Sequence, residues 1–115
     1  MVFTRDLRVD DNPALCAAAN TGNLSCLFVV DNKFSDGPAA SQRRQTFLLQ
    51  CLSDLDKSLR KLGTHLEIVH GDWLQQVQQR AVGLGASNIH LSEDYSFYAK
   101  RRLTKLDNWC GDNNV

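Results

Sequence analysis

The sequence predicts an α/β domain, a three-layer sandwich of the Rossmann-like or flavodoxin-like type with a mainly parallel sheet. Short apolar runs of strand length alternate with amphipathic stretches of helical length along the 115 residues. The run at 24–30 is apolar almost throughout, which is typical of a parallel strand buried on both faces. Strict alternation requires right-handed crossovers, and these place helices on both faces of a sheet of four to five strands.

Length and composition indicate one globular domain over residues 1–115. Hydrophobic residues make up 43% of the chain and charged residues 23%, as in ordinary folded proteins. Because 13 basic residues balance 13 acidic ones, a polyanion is not expected to be the main partner of this chain. No apolar run reaches the ~18–20 residues of a membrane span, and no signal-peptide core is visible, so we expect a cytoplasmic protein.

The cysteines and histidines form no metal-binding pattern. The four cysteines contain no Cys-x-x-Cys pair, and the three histidines do not complete a zinc spacing with them. A reducing compartment is favoured over disulfides, since no secretory signal is present. Each cysteine lies in an apolar stretch and is predicted to be a small core residue.

The first part of the chain predicts a strand, a helix and a second strand. A short strand at 2–4 leads into a charged loop. Asn12 and Pro13 then begin a helix, because Asn caps a helix well and Pro is tolerated at the first helical position. Gly22 ends this helix, and the strand at 24–30 is followed by a polar loop over 31–40.

The longest helix is predicted from Ser41 to about Leu62, with Gly63 ending it. Asp56 and Arg60 are one turn apart and are expected to pair on its solvent side. Five leucines repeat with helical spacing and form its apolar stripe: Leu48, Leu52, Leu55, Leu59 and Leu62.

The second half predicts two more strands and two more helices. Strands are expected at 66–70 and 88–91, and helices at 72–85 and 97–109, with a loop over 92–96. The expected apolar stripes are Leu74, Val77, Ala81 and Leu84 in the third helix, and Ala99, Leu103, Leu106 and Cys110 in the last.

Any ligand site is expected where the strands end, because open parallel sheets bind ligands at their carboxyl edge. This rule selects the loops at 5–11, 31–40 and 92–96. No Gly-x-Gly-x-x-Gly or Walker sequence follows the first strand, so an ordinary dehydrogenase or P-loop enzyme is not expected. No nucleophile elbow supports hydrolase chemistry.

Two groups of charges allow two interpretations each. Arg5, Asp6 and Arg8 form either an ion-pair network that stiffens their loop or a docking surface for a ligand or a second domain. The cations near the start of the last helix form either a solvated face, which we favour, or a functional patch. These cations are Lys100, Arg101, Arg102 and Lys105.

Three further residues are candidates at the strand ends. Arg43 and Arg44 lie in the first turn of the longest helix, where cations oppose the helix dipole, which points weakly to an anionic or polar partner. Asp94 follows the fourth predicted strand, where it either accepts hydrogen bonds from a ligand or caps the last helix.

The segment 4–15 (TRDLRVDDNPAL) resembles the opening of DNA photolyases and cryptochromes, whose pattern is approximately R-x-D-L-R-x-x-D-N-x-A-L after the first strand. This chain keeps the D-L-R and D-N-P-A-L parts of that pattern. Four further stretches agree in order and spacing. They are 27–31 (LFVVD), 44–62 (RQTFLLQCLSDLDKSLRKL), 70–72 (HGD) and 92–102 (SEDYSFYAKRR). The resemblance therefore covers nearly the whole chain.

The resemblance implies a division of labour. Family members are much longer, and their N-terminal α/β domain commonly holds a light-harvesting antenna chromophore. Their C-terminal helical domain holds FAD and the surface that binds UV-damaged DNA. A deoxyribodipyrimidine photolyase is a lyase. Its excited reduced FAD donates an electron to a cyclobutane pyrimidine dimer, which then splits. The chain matches only the antenna domain, so it is expected to contain no catalytic residue and to be inactive alone.

The resemblance also implies site residues. Arg44 and Asp94 match positions that contact a deazaflavin antenna in some members. Ala40 matches a position that lines the same pocket in the family, and Arg43 lies beside Arg44. Folate-binding members carry an Asn-Glu pair where this chain has Tyr-Ala at 98–99, so a folate antenna is less expected than a deazaflavin.

Arg5, Asp6 and Arg8 match a structural segment of the family, which implies a loop or domain-interface role. Two alternatives stay open beside repair: a cryptochrome-type blue-light signalling domain, and a free-standing nucleotide- or flavin-binding module of the same fold. The surface that faces the C-terminal domain in the family is expected to make the isolated domain self-associate.

Overall fold

The chain folds as strands and helices in the predicted order, except that in the described residues no strand separates the last two helices. The structure is a computed structural model that describes residues 1–4, 7–20, 24–31, 42–92, 97–113 and 115. Within these residues the elements are β1 (Val2–Phe3), α1 (Pro13–Ala19), β2 (Cys26–Asp31), α2 (Gln42–Lys61), β3 (Leu66–Gly71), α3 (Trp73–Leu84) and α4 (Phe97–Asn113).

The strands form a parallel sheet in the order β1-β2-β3. β2 pairs along its whole length with β3, from Cys26 opposite Leu66 to Asp31 opposite Gly71. Its amino-terminal part also pairs with β1, where Val2 lies opposite Leu27. The predicted parallel α/β architecture is confirmed.

A fourth segment lies on the other side of β1. The Met1 carbonyl accepts from Leu27 N on the β2 side, and the Val2 N–H donates to the His90 carbonyl at 2.8 Å. Backbone groups of successive strand residues point to opposite edges, so 88–92 runs beside the free edge of β1. The order of the strands therefore reverses at β1: β2 and β3 lie on one side of it, and the later segment 88–92 lies on the other.

The sheet nevertheless has three strands in the described residues, and the prediction of four to five was too high. Residues 88–92 adopt no regular structure. β1 is only two residues long, so its free edge offers few backbone groups to complete a ladder with 88–92. The apolar residues Ile89 and Leu91 still pack against the sheet, as the strand pattern required.

Helices cover both faces of the sheet, as predicted. α1 and α2 lie on one face, and alternate strand residues such as Phe3 and Phe28 pack against them. α3 and α4 lie on the other face. The first cluster contains Met1, Phe3, Leu15, Ala18, Cys26, Phe28, Leu52, Leu55, Leu59 and Leu66. The second cluster contains Val2, Leu27, Val29, Trp73, Val77 and Leu106.

The apolar stripe of α2 is confirmed except at its end. Leu52, Leu55 and Leu59 are almost fully buried, but Leu62 is 67% exposed. The helix stops at Lys61 because Gly63 adopts a φ of +88°, and the turn it makes carries Leu62 away from the sheet.

Two element boundaries, one buried stripe and one cysteine also differ from the sequence expectation. β2 begins at Cys26, and α4 continues through Gly111 to Asn113. In α3 the buried stripe starts at Trp73 and leaves Leu84 exposed, because Leu84 is the last helical residue before the cap. Among the cysteines Cys26 is buried, whereas Cys16 is exposed on α1, so the core prediction was wrong for that residue.

Two glycines give a matched test of the backbone of this fold. Gly71 has a φ of +139°, and a Cβ there would lie 2.9 Å from Gln76 Nε2. Gly83 lies inside α3, and a Cβ there would meet nothing within 4 Å. We expect G71A to lower the free energy of unfolding by about 1–2 kcal/mol and G83A to raise it by about 0.5–1 kcal/mol. Urea unfolding of both variants checks this, and shifts of the same sign would contradict the backbone assignment.

Candidate functional site

The candidate site lies at the carboxyl edge of the sheet, where β1 and the segment 88–92 part. Thr4 follows β1 directly, and Ser92 ends the segment beside it. In an open parallel sheet this reversal of strand order leaves a crevice between neighbouring connections, and ligands bind there.

All four described helices begin at this edge, because each follows a strand or the segment 88–92, and the starts of α2 and α4 adjoin the candidate ligand residues. α2 follows the carboxyl end of β2, and α4 follows the segment that ends at Ser92. Neither helix carries an acidic residue in its first turn, so no carboxylate within either turn offsets the partial positive charge of the amino terminus. The edge therefore favours an electron-rich or anionic group.

Arg43 and Arg44 lie in the first turn of α2, as the sequence predicts, although their side chains are outside the description. Ala40 and Asp94 also lie outside the described residues, so their antenna roles remain predictions.

The loop after β1 has a structural role in the part that is described. Asn12 is buried, accepts from the Leu15 N–H at 3.1 Å and donates through Nδ2 to the Arg8 carbonyl at 3.0 Å. The exposed Arg8 donates through Nε to the Asp11 carbonyl at 3.3 Å. The structure thus shows Arg8 in hydrogen bonds within its own loop, whereas Arg5 and Asp6 lie outside the description.

A small recess opens beside the reversal point, and its main feature, a contact between Arg102 and Trp73, is not predicted from the sequence. Its volume is about 10 Å³, and Thr4, Leu91 and Ser92 form one side of it. On the other side the Arg102 guanidinium lies over the Trp73 indole, 4.0 Å from the ring centroid.

The favoured prediction of a solvated face holds for three of the four cations of α4. Lys100, Arg101 and Lys105 are exposed. Arg102 instead lies three residues after the buried Ala99, on the helix face that packs toward α3. Its i, i+3 spacing from Ala99 was the signal available in the sequence.

A cavity of about 460 Å³ lies among the described residues at the opposite, amino edge of the sheet. His90 lines it, and its buried Nε2 has no hydrogen-bond partner among the described residues. Glu67 and Arg80 form an ion pair at the same cavity. Cavity size does not decide between the two edges. Strand direction decides it, and it favours the carboxyl edge.

Asp56 joins α2 to the start of β3. Its Oδ1 accepts from the Leu66 N–H at 2.9 Å, and its Oδ2 pairs with Arg60 Nε at 2.9 Å, which confirms the predicted Asp56–Arg60 pair. The hydrogen bond from the Leu66 backbone lowers the pKa of the Asp56 carboxyl, and Arg60 lowers it further. This carboxylate therefore helps to hold the first cluster together.

This carboxylate predicts an acid dependence of stability. Its pKa is lower in the folded chain than its unfolded value near ~4, so its contribution is fully present above ~pH 4 and is lost as the pH falls through the folded pKa. We expect D56N to unfold at a lower urea concentration than the parent at neutral pH, and the difference to shrink in acid. The exposed Asp54 of the same helix supplies the control D54N, and equal behaviour of the two variants would contradict the assignment.

The thiols and the metal-ligand inventory add no further chemistry. Burial raises the pKa of the Cys26 and Cys110 thiols, which keeps them protonated and unreactive at neutral pH. Over the described ranges, no three His, Cys, Asp or Glu side chains are placed to hold a metal ion. No helix in that part of the chain combines the length and the apolar character needed to cross a bilayer.

Comparison with known proteins places this arrangement in a family context. The family model described as DNA photolyase matches residues 1–115. Cryptochrome-2 of Gallus gallus is 47% identical over 101 residues, which cover 87% of this chain and 17% of the relative. Deoxyribodipyrimidine photo-lyase of Streptomyces griseus is 34% identical over 107 residues, which cover 92% of this chain and 24% of the relative. The chain thus spans less than a quarter of the length of these relatives.

A solved structure agrees with these sequence matches. The crystal structure of the archaeal photolyase from Sulfolobus tokodaii superposes with a TM-score of 0.86 at 28% identity, over 99% of this chain and 27% of that one. That photolyase was crystallised with two FAD molecules, which implicate a novel light-harvesting cofactor.

Proposed function

The chain belongs to the DNA photolyase family as its N-terminal α/β domain, and we propose that it holds a light-harvesting chromophore at the carboxyl edge of its sheet. The observation that carries the proposal is the reversal point beside β1, at the edge where α2 and α4 begin with no acidic residue in their first turns. An edge of this kind fits the electron-rich carbonyls of a flavin-type ring or the phosphates of a flavin nucleotide.

The proposed ligand set comes from the segments around this edge. Arg44 donates hydrogen bonds to the chromophore and Asp94 accepts them, with Ala40 and Arg43 beside them. The chromophore supplies absorption of near-ultraviolet or blue light and passes the excitation on. A deazaflavin or a flavin suits this set better than a folate, because Tyr98 and Ala99 replace the Asn-Glu pair of folate-binding members. The two FAD molecules of the archaeal photolyase support a flavin-type ligand.

The chemistry of repair belongs to a second domain in this proposal. The full-length protein repairs cyclobutane pyrimidine dimers by light-driven electron transfer from reduced FAD, and a C-terminal helical domain holds that FAD and the damaged DNA. The balance of 13 basic and 13 acidic residues supports this division, since a DNA-binding surface would require a basic excess. We place the protein in the cytoplasm and expect the isolated domain to self-associate through the surface that its C-terminal partner would cover.

A dimer-repair assay tests this division of labour. The purified 115-residue chain is mixed with DNA that contains pyrimidine dimers and exposed to blue light, and no loss of dimers is expected. The full-length gene product, assayed in parallel, is expected to remove them. Dimer loss caused by the short chain would contradict the proposal, as would an inactive, FAD-loaded full-length protein.

Blue-light signalling is the second candidate, and the 47% identity to a cryptochrome, against 34% to a photolyase, favours it. In that case the full-length protein would bind the same chromophores without splitting dimers. A free-standing module for nucleotides is the third candidate, and a bound adenine nucleotide without a visible absorption band would support it.

A further inference from the structure

We propose that Arg102 makes the indole of Trp73 hard to oxidise, so that a photo-excited flavin at the carboxyl edge is not quenched by electron transfer from this tryptophan. The inference rests on the proposed function for its purpose, because only a bound chromophore needs such protection. The property itself belongs to two side chains of this domain and is measurable without a bound ligand.

The Arg102 guanidinium and the Trp73 indole are in direct contact. Trp73 is the first residue of α3 and is 2% exposed within the second cluster. The guanidinium of Arg102 lies 4.0 Å from the centroid of its ring. The same recess is lined by Thr4 and Ser92, which mark the reversal point of the sheet. An oxidisable aromatic ring therefore lies next to the edge where the chromophore is proposed to bind.

Oxidation of Trp73 by an excited flavin would create a second positive charge next to Arg102. In the quenching reaction one electron leaves the Trp73 indole and enters the excited flavin, so the indole is oxidised to a radical cation and the flavin is reduced. No proton has to move. The new positive charge would face the positive charge of Arg102 at 4.0 Å, and burial of the ring weakens the screening by water. The repulsion disfavours the oxidised state, whereas the neutral ring is attracted to the same cation.

A purely structural role of the pair makes a different prediction. A cation over an indole also stabilises the packing between α3 and α4. If that were its only role, a neutral replacement would lower the stability of the fold and leave the rate of Trp73 oxidation unchanged. A redox role requires that the rate of Trp73 oxidation follow the charge at position 102, with the fold intact. Lysine at that position keeps the charge, and glutamine or methionine removes it.

Laser-flash oxidation by free flavin mononucleotide tests the proposal. The chain has two tryptophans, so W109F leaves Trp73 as the single one. We expect R102Q and R102M in this background to yield the tryptophan radical cation about tenfold faster than the parent, and R102K to stay close to the parent. K105Q removes an exposed cation from the same helix and is the matched control, with no expected change.

The outcomes separate this inference from the proposed function. Equal oxidation rates in the parent, R102Q and R102M, with folding confirmed by circular dichroism, would overturn the inference whether or not a chromophore binds. Two neutral variants are used so that a loss of fold in one still leaves a measurement. For chromophore-loaded protein we expect R102Q to shorten the fluorescence lifetime and W73F/R102Q to restore it. Failure of any flavin or deazaflavin to bind contradicts the proposed function, and the flash measurement still decides the inference.

Discussion

The variant L59A is expected to lose about 3 kcal/mol or more of its free energy of unfolding. Leu59 is completely buried in the first cluster, between α2 and the sheet. Truncation to alanine removes its apolar contacts and leaves a cavity that the packed strands fill only in part. Urea unfolding at neutral pH measures the loss, with the slope of the transition as a check that the unfolded state is unchanged.

Leu49 gives a matched control for this prediction. It is also a leucine of α2, but its side chain is 63% exposed. L49A is therefore expected to change the free energy of unfolding by no more than about 0.5 kcal/mol. Similar losses in L49A and L59A would mean that α2 packs on the sheet in a different register from the one described.

The variant R44A is expected to weaken chromophore binding about tenfold or more. Arg44 lies in the first turn of α2 at the carboxyl edge, where the helix dipole and the guanidinium both favour an electron-rich ligand. Loss of a hydrogen bond from a charged donor accounts for an effect of this size. Equilibrium dialysis against a flavin and a deazaflavin, followed by fluorescence, measures the affinity.

Lys61 gives the control for R44A, because it is a cation at the opposite end of α2. K61A changes the net charge of the chain by the same amount but lies at the amino edge of the sheet. We expect it to bind the chromophore as the parent does. Equal affinities of R44A and the parent would contradict the proposed ligand set, even if the chromophore binds.

Apolar patterns that reflect which face of a strand or helix is buried predicted the fold well. The apolar run that became β2 indicated a strand covered on both faces, and Val29 and Phe28 do pack into opposite clusters. The leucine spacing of α2 predicted its buried face for the same reason. The exception, Leu62, depends on the turn at Gly63, which the helical period does not describe.

Features that depend on tertiary pairing were predicted less well. The pattern at 88–91 indicated a strand, but a strand also needs a neighbour long enough to complete a ladder, and β1 is two residues long. The position of Arg102 over Trp73 depends on how α3 and α4 pack together, and the sequence shows only that Arg102 follows Ala99 by three residues. Arg44 was placed correctly at the start of α2, because helix boundaries carry local signals.

The absorption spectrum of the freshly purified chain tests the central claim most directly. We expect a near-ultraviolet or blue band from a flavin-type chromophore bound to residues 1–115, diminished in R44A and retained by K61A. A chain that binds neither a flavin nor a deazaflavin when either is supplied, or that carries only an adenine nucleotide without such a band, would contradict it.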